Sequence, residues 1–567
     1  MERTRLSVWR LVVALFVLCA AMACGQQSCS CAAPLDQPME ENARVYDAIQ
    51  ARLTPAAFDF IETNLPDIIS TFLEGGLTFD VPSSRIEFDL VITTMVIDVC
   101  PQGCTLTAEI LDASITPVAP NTLGLDAHIN LTGTVYLRND ITCDVPIHVQ
   151  NKPVHADIIL RRDGIDHFLF FDIANPQVTL SNDDYSLDCS GLLGWIIEQL
   201  KGFVTDQINN QIQDQLGSAL NDAIAGATCL TCDYYTGGCP SGSSCDGTYC
   251  QQSGACRKMP LGMAGAVDLA GQLGDLGSSP NPLEVTIAAG QWEATSIDAV
   301  VVNNGLELRV IGAAEAARHQ CVPPPDPAEI PSNAPPERLS FTDTVPGDGS
   351  SYMAGIGVSD VFLDWAFYKA YLSGLLCLTI GTETTDMLTS GTIALLGMSS
   401  LNELTQGRSV PVKMKIHPSH VPYVEVGAGT FTTDTDGNRI IDEPLLYVFM
   451  PGMVMDFWVL LDERWVRVVT ITMDLSLDLA LDVDADNQLV PLFGDDSIHI
   501  ENVVVSNYEL LADDPAQIEN LIPSLVDMAL PMLTGALQPI ALPPLNGFEL
   551  EVAAIKGAKP RQGTPYY

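Results

Sequence analysis

Positive charge is what this sequence has least of. Only 26 Lys plus Arg stand against 71 Asp plus Glu in 567 residues, a formal net charge of −45. That balance leaves no basic stripe for nucleic acid and disfavours electrostatic docking on anionic headgroups. Histidine is also scarce, with 8 in the chain, and none falls in a zincin spacing; His417 and His420 in "HPSH" read as a turn. No nucleophile elbow and no phosphate loop occurs, so nothing marks the chain as an enzyme. Past the amino terminus no uninterrupted run suits a membrane helix. The greasiest stretch, "LIPSLVDMALPMLTGALQPIALPPLNGFEL" from Leu521, is broken by Pro523, Pro531 and Pro539.

What is present is apolar surface. Mean hydropathy is +0.20, unusual for so acidic a chain, and it implies large apolar faces buried against the protein or a ligand. The amino terminus gives an address. "MERTRLSVWR" carries three arginines, "LVVALFVLCAAMA" is too short to span a bilayer, and Cys24 follows Ala21-Met22-Ala23. Residues 1–23 read as a signal peptide, and the small residues before Cys24 resemble a bacterial lipobox with Ala21 in place of leucine. Ordinary cleavage after Ala23 is the alternative. Loss of Cys19 and acylation of Cys24 leave fourteen of the 16 cysteines, an even number suited to disulfides in an oxidising compartment. The expected location is an outer membrane, lipid-anchored and facing periplasm or exterior, with 24–41 as the tether.

Periodicity then sets out helix, sheet, helix. Thr54-Pro55 reads as a helix start, and Phe58, Ile61, Leu65, Ile68 and Phe72 share one face. From Ile86 to Leu180 the period is two, clearest where Leu125, Ala127, Ile129, Leu131, Val135 and Leu137 line one side. A second long amphipathic helix carries Leu193, Ile197, Leu200, Val204, Ile208 and Ile212. The same order returns after the proline-rich "CVPPPDPAEIPSNAPPE". A helix begins at Ser359, and strands follow through "VPVKMKI", "FWVLL", "VVTITMDLSLDLALDV" and "IHIENVVV". A closing helix begins at a capping box of Asp514 and Gln517, carries Ile518, Ile522, Leu525, Ala529, Met532 and Ala536 on one face, and kinks at Pro531.

These passages together resemble the tubular lipid-binding superfamily, specifically the two-barrel group of bactericidal/permeability-increasing protein and lipopolysaccharide-binding protein. "GLLGWIIEQLKGFVTDQINNQI" is similar to the long second helix of the first barrel and "PPPDPAEIPSNAPPE" to the proline-rich connection. "YMAGIGVSDVFLDWAFYKAYLSGLLCLTI" resembles the opening of the second barrel, and "LTGALQPIALPPLNGFELE" the closing helix and strand. The resemblance implies an α+β fold: two tandem barrels of long helices wrapped by curled antiparallel sheets, joined by a central sheet in a boomerang. It divides the chain into a first barrel at 42–228, an insertion at 229–258, a central sheet and linker at 259–337, a second barrel at 338–556 and a tail at 557–567. It further implies acyl-lipid grooves walled by Phe58, Ile61, Leu65 and Phe72, by Ile197, Leu200, Val204 and Ile208, and by Leu525, Ala529, Met532 and Ala536. A helix-to-sheet disulfide is expected between Cys143 and Cys189, other pairings being open from sequence.

Departures from that family limit the reading. The first barrel's tip offers Asp, Thr and Gln where antibacterial members are basic, so lipopolysaccharide binding is not carried over. With no cationic partner foreseen in grooves or tips, lipid binding is expected to depend weakly on salt. The insertion from Cys229 to Cys256 holds six cysteines among Gly and Ser and reads as a disulfide-stapled knob. A zinc site at Cys229-x-x-Cys232 is its rival. "DTDGN" at Asp434 and "DVDADN" at Asp482 resemble calcium loops but lack the full pattern, with Asn487 and Phe493 where glycine and glutamate belong. Acidic hairpin turns are the preferred reading, so no metal and no cofactor is expected. Phospholipid or another acyl lipid is the expected partner. A structural or adhesive lipoprotein with filled barrels is the alternative.

Overall fold

The computed structural model describes residues 41–557, apart from short internal stretches and longer ones at 211–228, 269–279, 291–298, 523–539 and 542–551. Cys24 and its tether lie outside the described residues. The fold is mostly sheet, with two curled antiparallel half-barrels and few helices.

Between the half-barrels runs a central sheet that includes, as an interior member, the strand Arg44–Leu53. On one edge it pairs with Gly305–Ala316, from Leu53 opposite Leu306 to Arg44 opposite Ala313. On the other it pairs with Ala354–Val358. Leu283–Ala289, Gly265–Asp268 and Ala299–Val302 complete the sheet. Sequence periodicity placed the start of regular structure at Thr54 and did not foresee this strand. The reason is burial on both faces: Val45, Ala48, Ile49, Ala51 and Leu53 are buried, but so are Arg44, Asp47 and Arg52. A bulge between Val45 and Ile49, with Asp47 at φ 52°, breaks what alternation remains.

Arg52 sits 1% exposed inside this sheet. Its Nε donates to Asp343 Oδ1 at 2.8 Å and its NH2 to Oδ2 at 2.9 Å, a bidentate pair. Its NH1 donates to the Val302 carbonyl at 2.7 Å and reaches Glu307 at 3.5 Å. Gly305 makes the room, since a Cβ there would lie 2.7 Å from the guanidinium carbon.

Helix Asp360–Ser373 lies on the central sheet, its first turn capped by Ser359, whose hydroxyl accepts from the Phe362 amide. Phe362, Trp365, Tyr368 and Tyr371 from this helix join Val45, Leu53, Phe58, Leu123 and Val310 in one core. Gly312 lets the Phe362 ring meet the strand; a Cβ there would collide with it. The proline-rich segment is strapped to the same helix. Cys321 is bonded to Cys377, the Tyr371 hydroxyl donates to the Pro323 carbonyl at 2.8 Å, and Glu329 meets His420 at 2.7 Å. Burial pushes the Tyr371 hydroxyl up to about 12, so it stays a donor.

The first curled sheet has seven strands, dominated by Cys104–Val118, Thr122–Asn139 and Cys143–Arg162. Bulges between Ile110 and Asp112, Ile129 and Leu131, and His155 and Asp157 bend it. Helix Pro55–Phe72 packs on it, with Thr54 buried just ahead and donating its hydroxyl to the Tyr352 carbonyl. The second curled sheet has eight strands around Leu446–Leu461 and Arg464–Val483, again bulged between Met450 and Met453 and between Thr472 and Asp474. Helices Ser390–Leu396, Ser400–Leu404 and Pro515–Glu519 close its inner face, the last with the Asp514–Gln517 capping box in place.

Arg52→Ala leaves the half-buried Asp343 and the Val302 carbonyl without their donors. Losing these charge-assisted hydrogen bonds is expected to cost about 1–3 kcal/mol, read as a shift in the urea midpoint at constant slope. Arg52→Lys restores charge but not the fork, and should recover only part of the loss.

Candidate lipid-binding faces

Strand alternation sorts the first sheet into a polar outer face and an apolar inner one. Outside, His128 meets Asp112 at 2.6 Å, and His155 meets Asp126 at 2.7 Å and Asp157 at 3.3 Å. The Asp126 hydrogen bond, helped by the two carboxylate charges, holds the His155 imidazole above its ordinary value. Inside, burial is graded. At one end Ile97, Leu106, Leu131, Leu137 and Ile147 are at most 0% exposed, closed over by the helical stretch 196–206. Elsewhere Ile61 meets Ala113 and Ala127, two small side chains facing each other across adjacent strands, with Ile110, Ile115, Leu125 and Val154 around them only partly buried.

The anticipated groove residues fall into four groups. Phe58 and Ile61 are each 6% exposed, the first in the central core and the second over the small-residue row. Leu200 at 0% and Val204 at 1% are sealed within the core, with Ile197 partly buried against it. Leu65 and Phe72 lie on helix Pro55–Phe72, but their side chains are outside the described residues. Ile208, Leu525, Ala529, Met532 and Ala536 are outside them altogether. Sequence reading did not single out Ile110, Ile115 and Val154 as lining, although each stands on the inward side of its strand.

Cys143 is bonded to Cys189 inside the closed end, tying the strand Cys143–Arg162 to the segment that leads into 196–206. The insertion contains three further bonds, Cys229–Cys256, Cys232–Cys245 and Cys239–Cys250. This corrects the zinc rival, because Cys229 and Cys232 are consumed in separate disulfides. The same holds for two clusters with metal-like spacing, Cys232 with Cys239 and Cys250, and His319 with Cys321 and Cys377, whose sulfurs are all bonded. Cys100–Cys104 is the sixth bond among the described residues. Of the calcium-like stretches, residues 434–438 and 484–487 lie outside the described residues; the strands flanking them, Thr430–Thr433 with Arg439–Glu443 and Arg464–Val483 with Gln488–Leu492, pair antiparallel.

The second inner face is rich in methionine. Met414, Met453, Met455 and Met473 are buried with Phe457 and Ile471 beneath Ile393, Leu401 and Ile518, while Met450, Leu475 and Ile500 are partly buried. Unbranched thioether chains adapt to irregular apolar shapes. A separate cavity of about 390 Å³ beside the central sheet is lined by Asn42, Glu284, Glu315 and Lys369 together with Ala43, Pro282, Ala316 and Ala317. No helix among the described residues is long and apolar enough to cross a membrane.

No protein-family model matches the sequence, and no curated protein matches it. Among solved structures the chain is similar to lipopolysaccharide binding protein at 12% identity, covering 89% of this chain and 93% of that one with a TM-score of 0.38. It is also similar to P47 from Clostridium botulinum A2, at 10% identity, 88% and 91% coverage and a TM-score of 0.23. P47 of Clostridium botulinum E1 gives 9% identity, the same two coverages and 0.24. What the geometry itself defines is a class: two curled antiparallel half-barrels with apolar inner faces, joined by a shared sheet.

Replacing Cys143 and Cys189 together by serine should cost about 2–5 kcal/mol, measured by denaturation. Peptide mapping of the intact protein should recover the two cysteines as one linked pair, and either one found free would refute the assignment.

Proposed function

We propose that the protein binds acyl lipid, phospholipid above all, along the inner faces of its two half-barrels and passes it reversibly between membranes. The graded burial of those faces is the observation that supports this. A row that is sealed at one end and partly open further along, around Ile61 in one sheet and around Met450 and Leu475 in the other, is apolar surface held within a curl. The long helical segments foreseen in the sequence would complete each half-barrel to a tube, giving tandem lipid-binding barrels. Leu65, Phe72, Ile208, Leu525, Ala529, Met532 and Ala536 would line their remaining walls.

Energetics favour a carrier over a sink. Two acyl chains bury roughly thirty CH₂ groups, a gross gain on the order of 25 kcal/mol at ~0.8 kcal/mol each. Leaving a bilayer forfeits similar burial, so net transfer lies near neutral. A second reading, a structural or adhesive surface protein without cargo, draws support from the sealed positions of Leu200 and Val204.

Native mass spectrometry of the purified chain separates the two. Co-purifying lipid is expected for the wild type, and Ile115→Trp and Leu475→Trp should each lower its occupancy while leaving the fold intact. Leu200→Trp, by contrast, overpacks a closed core and should destabilise by about 1–3 kcal/mol. A wild type that never carries lipid overturns the carrier and leaves the structural reading.

We also propose that residues 1–23 are removed and that acylated Cys24 holds the protein on an outer membrane, facing periplasm or exterior. The even cysteine count supports it. Cys24→Ser should abolish incorporation of labelled fatty acid and shift the protein from detergent to aqueous phase. Unchanged partitioning would count against the anchor.

A further inference from the structure

Five of the chain's 26 basic residues, Arg408, Lys413, Lys415, Arg464 and Arg467, converge at one end of the second curled sheet. Antiparallel pairing collects them. Lys413 stands opposite Trp458, which stands opposite Arg467, and the turn between Leu446–Leu461 and Arg464–Val483 brings Arg464 and Trp465 alongside. Lys413, Lys415, Trp458, Trp465 and Arg467 face away from the core, because the alternate positions Met414, Phe457 and Val459 are the buried ones, while Arg464, opposite Leu461 at the turn, is exposed in the alternate register. The Lys413 ammonium lies 4.6 Å from the Trp465 ring centre and the Lys415 ammonium 5.1 Å from that of Trp458.

Acidic residues at this end neutralise the cluster only in part. Asp456 meets Arg467 at 3.6 Å and Asp462 meets Arg408 at 3.8 Å, and Glu463 completes the turn. Glu403, Glu509 and Asp513 also stand at this end, but Lys413 and Lys415 lie over tryptophan rings instead of beside carboxylates, which concentrates cations locally on a chain of net charge −45. Exposed apolar side chains flank the cluster. Trp465 is 39% exposed, and Leu395 on helix Ser390–Leu396 is 89% exposed, the most of any large apolar residue described. That helix is fixed at the same end, where the Ser390 hydroxyl donates to the Arg408 carbonyl at 3.1 Å and accepts from the Val410 amide at 2.9 Å.

We propose that this end of the second half-barrel docks on an anionic phospholipid surface, with Leu395 and Trp465 entering the interface and the five cations meeting headgroup phosphates. Amphipathic tryptophan with neighbouring Lys and Arg is the combination that sits at headgroup depth, where the rings bridge apolar and wet layers. The net charge of −45 works against broad attraction to an anionic surface, so a local concentration of cations sets which side approaches it. The sequence reading, which foresaw no cationic partner at the tips and weak dependence on salt, is revised here. Its cations lie in two segments some fifty residues apart and form a cluster only once the strands pair. The proposal does not depend on lipid in the inner faces.

The test is vesicle flotation of the full chain carrying Cys24→Ser, which removes any acyl anchor. Vesicles of phosphatidylcholine alone are compared with an equal mixture of phosphatidylcholine and phosphatidylglycerol. Binding is expected only to the mixture, and it should fade as salt rises from about 0.01 M to about 1 M, over which the screening length drops from roughly 30 Å to roughly 3 Å. Each cation removed should weaken binding about fivefold, so Lys415→Gln, Arg464→Gln and Arg467→Gln together should weaken it roughly a hundredfold. Arg85→Gln, a cation of the first sheet, should leave binding unchanged. Trp465→Phe should remove a blue shift in fluorescence seen on adding vesicles, and Leu395→Ser should weaken binding without altering its salt dependence. Circular dichroism confirms each fold. Equal binding to both vesicles, indifference to the three substitutions, or equally tight binding to heparin or DNA would overturn the assignment to a membrane.

Discussion

One strand closes the molecule: Arg44–Leu53 is held on both edges, by Gly305–Ala316 and by Ala354–Val358, and neither half of the chain is complete without it. Arg52 fixes the register. A buried guanidinium tolerates little misplacement, because each of its donors faces a defined acceptor and an unpaired charge in this setting is costly. Its partners come from the Val302–Glu307 turn and from Asp343, 291 positions away, so the same group joins the first half, the linker and the second half. The central sheet therefore cannot form before residue 358 exists, which makes it a late, nonlocal step of folding.

With the centre fixed, each curled sheet needs to solve only its own inner face. The first does so with branched side chains and a disulfide at the sealed end, and with small residues, Ala113 and Ala127, where Ile61 approaches. The second uses methionine for much of the same volume. Close packing at the sealed ends contrasts with the partly buried stretches, where the proposed chain-like ligand would disturb neither the knot around Cys143–Cys189 nor the cap formed by Ile393, Leu401 and Ile518.

Local rules made much of this readable. Strands buried on one face announced themselves, as did the helix after Ser359 and the capping box at Asp514, because period two and cap chemistry survive in a single sequence. Arg44–Leu53 did not, since burial on both faces removes the alternation that a reader relies on, and a buried arginine looks from sequence like a solvated one. The groove assignments show the same limit. Leu200 and Ile61 have the same apolar spacing, yet one is sealed and the other borders partly open surface. Periodicity identifies the inward side of an element and says nothing about what fills the space there.

Charge follows the same logic on a larger scale. Net charge is a sum, and at −45 it argues against broad attraction to anionic surfaces. It could not reveal where the few positive groups would gather. On a chain whose summed charge is negative, a local concentration of cations at one end would orient the molecule on an anionic surface more strictly than a wholly basic surface could. A uniformly cationic protein sticks on any side; a local cluster favours one approach, and screening over about 10 Å at moderate salt keeps that preference local to the tip.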